Sequence, residues 1–62
     1  MTLAQAKKQA RTRARLIGEC YYVLGPCPQE GYWTAAARYR FELWPDRAPV
    51  FTAAPDGRTS TP

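Results

Sequence analysis

From Leu3 to Ile17 the apolar positions fall three and four residues apart. Leu3, Ala6, Ala10, Ala14 and Ile17 share one arc when each residue advances about 100°. This spacing predicts a helix over 3–17. Thr2 and Gln5 stand in capping-box positions, where the hydroxyl and the amide can each satisfy an N–H of the first turn. Gly18 supplies the stop. The arc is narrow and mostly alanine, so it buries little surface but permits close approach to a sheet. Arg13 flanks it, positioned to lay its stem along the core edge.

The period then changes. Residues 19–24 (ECYYVL) are aromatic and β-branched enough for a strand, and GPCPQEG, with two prolines and two glycines, is a loop. In YWTAAARYRFELW, Trp33, Ala35, Ala37, Tyr39, Phe41 and Leu43 alternate with Thr34, Arg38, Arg40 and Glu42, which predicts a second, long strand. The Ala35-Ala36-Ala37 run packs little and marks a bend or bulge. Pro45-Asp46 suits a tight turn, and residues 50–53 return as a third strand.

These elements predict an α+β fold, one N-terminal helix packed on a three-stranded antiparallel meander sheet in the order 1-2-3. The domain spans 1–54, with 55–62 as a flexible C-terminal tail. The expected core is Leu3, Ile17, Cys20, Tyr22 and Leu24 with Trp33, Tyr39, Phe41, Leu43 and Phe51. One helix covers one sheet face, so the other meets water or a partner. Alternation places Tyr21, Val23, Tyr32, Thr34, Arg38, Arg40, Glu42 and Val50 there, with Trp44 near its end. An ordinary half-wet face and a contact surface are both compatible with that mixture. Pairing of two such faces or two edge strands would give a homodimer; monomer and homodimer are equally expected.

Composition agrees with a small folded domain. The 62 residues are 45% hydrophobic and include eight aromatics, yet a chain this short buries only about 60% of its unfolded surface. No apolar run approaches the roughly 20 residues that span a bilayer. The basic N-terminus lacks a following apolar stretch, so no secretory signal and a cytoplasmic location are expected. In that reducing setting Cys20 and Cys27 should be free thiols, although a bridge closing the 20–27 loop is sterically conceivable from sequence. With no histidine and two cysteines, neither a metal site nor a cofactor is expected.

Catalysis has little to draw on. The single serine, Ser60, lies in the tail, the five carboxylates are scattered, and neither cysteine has an evident base. A non-enzyme is expected. Charge is more informative. Residues 1–17 hold Lys7, Lys8, Arg11, Arg13 and Arg15 without an acid, a side-chain charge of +5. Residues 18–62 hold four arginines against five acids, so the formal +4 originates in the helix. Lys7, Arg11 and Arg15 repeat every four residues with Lys8 beside them. Like charges at that spacing destabilise a helix by a few tenths of a kcal/mol per pair, roughly, and cations in its first half oppose the macrodipole.

Two readings follow: a plain solvated face, or an anionic partner held by Lys7, Lys8, Arg11 and Arg15, with Arg38 and Arg40 contributing from the sheet. Nucleic acid or a nucleoprotein complex is the first such partner, and sequence-specific readout has no supporting motif. The other is a host protein with an acidic surface, and a separate reading is an inhibitor or adaptor that binds a host protein through the outer sheet face, with Tyr21, Tyr32, Arg38 and Trp44 as anchors.

The run LAQAKKQARTRARLIG leading straight into ECYYVL, residues 3–24, resembles short accessory proteins of phages and mobile elements. Members of that group include regulators and inhibitors of host defence complexes such as anti-CRISPR proteins. The resemblance implies a compact one-helix module acting by binding. The basic charge departs from the acidic DNA-mimic type, which implies an acidic protein patch or a nucleic-acid-loaded complex as target.

Overall fold

The computed structural model describes residues 1–39 and 48–61. Helix α1 runs over Leu3–Ile17. Both halves of the capping box form: Gln5 N–H donates to Thr2 Oγ1 at 3.2 Å, and Thr2 N–H donates to Gln5 Oε1 at 3.1 Å. Gly18 ends the helix at φ +79, its N–H on the Ala14 carbonyl at 2.9 Å. A left-handed residue at this position favours glycine, which lacks the Cβ penalty.

Four antiparallel strands follow: β1 (Tyr21–Cys27), β2 (Gly31–Ala36), β3 (Phe51–Ala53) and β4 (Thr59–Ser60). Their order is β2-β1-β3-β4, so the arrangement is not a 1-2-3 meander. β3 pairs with β1, through Tyr21↔Ala53, Tyr22↔Thr52 and Val23↔Phe51, and β1 becomes a central strand. The cause lies in its composition. A run apolar on both faces suits a strand with neighbours on either side and cover above and below. The fourth strand comes from the expected tail, where Thr59 and Ser60 pair with Ala53 and Thr52.

β2 is shorter than its alternating pattern predicts. It ends at Ala36, and Ala37–Tyr39 forms one 3-10 turn, with Ala37 N–H donating to the Cys20 carbonyl at 2.9 Å. The alanine run thus ends the strand rather than bending it. The expected continuation through Arg40, Phe41, Glu42, Leu43 and Trp44, and the Pro45-Asp46 turn, lie outside the described residues.

The helix covers the opposite side of the hairpin from the one expected. Ala6, Ala10 and Ala14, all at 0% exposure, pack with Tyr21, Val23, Ala36, Phe51 and Ala53, while Leu3, Tyr32 and Val50 close the edges. Tyr22, Leu24, Trp33 and Ala35 therefore face away from α1. In β1 every candidate position is apolar, so alternation carries no face information. In β2, Thr34 tolerates the helix side because its hydroxyl donates to Gln9 Oε1 at 2.7 Å. The far face is not uniformly open, since Leu24 and Ala35 are buried there. Ile17 lies on the arc but is 53% exposed, in the last helical turn before Gly18; Tyr39, beyond β2, is exposed as well.

Cys20 and Cys27 are free thiols, both half-buried. Cys20 neighbours Ala37 at one end of the β1–β2 hairpin, and Cys27 pairs with Gly31 at the other. Seven residues of strand separate them by on the order of 20 Å, far beyond the roughly 7 Å Cα limit for a disulfide.

Candidate anion-binding site

The basic stripe divides into two parts. Lys7 leans toward the sheet and sets its Nζ 5.3 Å from the Phe51 ring centroid. A cation over a ring face is attracted by the ring quadrupole, and Lys7 is half-buried. Lys8, Arg11 and Arg15 stay exposed and surround a concavity of about 360 Å3 between α1 and the turn that joins β3 to β4. Arg13 projects into solvent and does not line it.

The far wall of the concavity is the Ala54–Arg58 turn. Ala54 N–H donates to the Arg58 carbonyl at 2.8 Å, and Gly57 N–H to the Ala54 carbonyl at 3.1 Å. Asp56 Oδ1 accepts the Arg58 N–H at 3.0 Å, and its Oδ2 lies 3.3 Å from Arg58 Nε. Arg15 reaches across to this turn: its Nη2 would stand 3.5 Å from a Cβ built on Gly57. The helix and the turn thus meet at a guanidinium. Ala54 and Gly57 from the turn, with Thr12 and Leu16 from the helix, give the concavity an uncharged surface inside its basic rim.

Among the described residues the ion pairs are Arg38–Glu19, at 2.9 Å, and Arg58–Asp56. Lys8, Arg11 and Arg15 have no carboxylate partner there. The charged side chains that line the concavity are thus all positive, the nearby Asp56 being paired with Arg58, and a cleft lined by one charge sign raises the local concentration of counter-ions.

The residues expected to join them from the sheet do not. Arg38 sits on the 3-10 turn, where it holds Glu19 and stacks 4.8 Å from the Tyr39 ring centroid. Arg40 lies outside the described residues, as does Trp44. The expected protein-contact anchors also separate. Tyr21 is buried beneath α1, and Tyr32 is half-buried at the edge of the same core. Trp33, assigned to the core by alternation, is instead 38% exposed on the face away from the helix. Ala54 and Gly57 come near the stripe only because β3 turns back beside the helix, whereas Thr12 and Leu16 follow Lys8 at four-residue intervals on α1 itself. The signal available in sequence was the turn-forming Pro55-Asp56-Gly57, which marks a hairpin between short strands.

Among the described residues, no cluster of histidine, cysteine, aspartate or glutamate could hold a metal ion, and no helix is long and apolar enough to cross a membrane. Comparison with protein families, curated proteins and solved structures finds no match.

Proposed function

We propose that this protein is a non-enzymatic binding module that engages nucleic acid, free or within a nucleoprotein complex, through Lys8, Arg11 and Arg15. The observation that carries this reading is the convergence of three cations, without a carboxylate partner among the described residues, around one concavity. Phosphate is the most abundant anion that such an array meets on a macromolecule, and its neutralisation releases counter-ions from the nucleic acid. Lys7, drawn toward Phe51, supports the field from behind the front row.

Binding should fall with salt. Three phosphate contacts give a slope of log K against log salt of roughly −2.7 on duplex DNA and about −2.1 on a single strand. The Arg11→Glu/Arg15→Glu double variant should fold normally by circular dichroism and lose binding. A folded double variant that binds as the parent does would overturn the reading.

The competing reading is an adaptor or inhibitor of a host protein, of the kind that the resemblance to phage accessory proteins implies. The exposed Trp33 on the face away from α1 favours it, because aromatic side chains are enriched at interface centres. Capture from lysate with and without nuclease separates the two. A partner protein retained equally after nuclease digestion, and lost on Trp33→Ala rather than on charge reversal, would establish the second.

A further inference from the structure

Leu16 is 79% exposed, yet it does not stand alone on the surface: it lines the concavity rimmed by Lys8, Arg11 and Arg15. We propose that this concavity is a subsite for one nucleotide of single-stranded nucleic acid, the base lying against Leu16 and Ala54 and the flanking phosphates meeting the three cations. The inference rests on the nucleic-acid reading above and narrows it to unpaired strands.

Three features carry it. The lining combines two chemistries that a nucleotide also combines, an apolar plane and an anion. A site built for phosphate alone has no use for an exposed leucine beside alanine and glycine. The volume of about 360 Å3 lies at the small end of the roughly 300–1,000 Å3 range of ligand sites, which suits one small unit of a longer chain. Finally, the concavity is walled by the turn at Ala54–Arg58, which stands beside the helix. A duplex presents phosphates on a convex surface and keeps its bases stacked inside, so the uncharged floor would stay empty. A single strand can turn a base into it, and Arg11 and Arg15, one helical turn or about 6 Å apart, stand on its rim with guanidinium planes that can stack on a base.

Fluorescence anisotropy tests this with a fluorescein-labelled thymidine homopolymer of about a dozen nucleotides and a hairpin duplex of similar charge, at one salt concentration. The single strand should bind more tightly. Leu16→Ser, at an exposed position, should keep the fold by circular dichroism and weaken single-strand binding about three- to tenfold, the effect of losing part of one leucine contact. The salt slope and the duplex affinity should not change. Equal or tighter duplex binding overturns the inference. So does unchanged single-strand binding by Leu16→Ser in the presence of a strong Arg11→Glu/Arg15→Glu effect, an outcome that leaves the broader nucleic-acid reading standing. Failure of the parent protein to bind either probe overturns this inference and, with it, the reading of free nucleic acid as the partner.

Discussion

A Cβ added to Gly25 would stand 2.8 Å from the Gly31 carbonyl oxygen and 2.9 Å from Tyr32 Cδ2. The site lies in a bulge: between the pairs Leu24↔Trp33 and Cys27↔Gly31, β1 carries two residues against one on β2. Bulges of this kind leave the extra residue unpaired and sharpen the local twist. At φ +140 the backbone conformation is itself costly for any L side chain. Gly25→Ala should therefore destabilise the domain by about 1–3 kcal/mol, read as a lower urea midpoint with an unchanged slope. The bulge also explains why a loop expected to begin at Gly25 is instead strand as far as Cys27. Proline and glycine in GPCPQEG report an irregular backbone, and composition alone does not separate an irregular strand from a loop. The free thiols give a second residue-scale test. Since Cys20 and Cys27 occupy opposite ends of the hairpin, adding reductant should leave the melting temperature unchanged; a fall of several degrees would reveal a bridge.

At the scale of elements, α1 is the part most fully written in sequence. Its cap residues, bounds and buried arc of Ala6, Ala10 and Ala14 follow from spacing, because a helix on one sheet face has a single wet side and a single dry one. Those alanines are fully buried in one cluster with Val23, Phe51 and Ala53. Ala10→Leu should force the helix off the sheet and cost about 1–3 kcal/mol, visible in a thermal melt followed at 222 nm. The strands were less legible. Alternation in β2 placed Trp33 and Ala35 beneath the helix, but the helix arc is built of methyl groups and accepts the smaller set, Thr34 and Ala36, with Tyr32 at the edge. Cross-element fit decided the facing, and no single segment contains that information. The same holds for strand order, which depends on β3 choosing the two-sided apolar β1 over β2. The basic stripe was legible as charge, while its concavity was not, since the far side of the lining, Ala54 and Gly57, comes from a turn more than thirty residues downstream.

For the whole molecule, net charge and fold stability are coupled through the helix. Arg11 has Lys7, Lys8 and Arg15 at helical neighbour spacing, so Arg11→Glu replaces three repulsions by three attractions, each worth a few tenths of a kcal/mol, roughly. The variant should melt about 2–6 °C higher at low salt, and the gain should shrink in 1 M salt, where the Debye length falls to about 3 Å. Greater stability with weaker nucleic-acid binding would show that the cationic row is kept at the expense of the fold. The alanine packing bears on how that row meets a partner. The fully buried positions of α1 are all alanine, which has no rotamers to exchange, so the helix has little of its own to yield for a tilt or slide. The cations are attached to a stiff rail, and the pitch of their attachment points is that of the helix itself. If nucleic acid is the partner, as proposed, a strand whose charges are spaced differently has to be met by its own bending or by the tips of the lysine and arginine side chains, because the helix beneath them does not adjust.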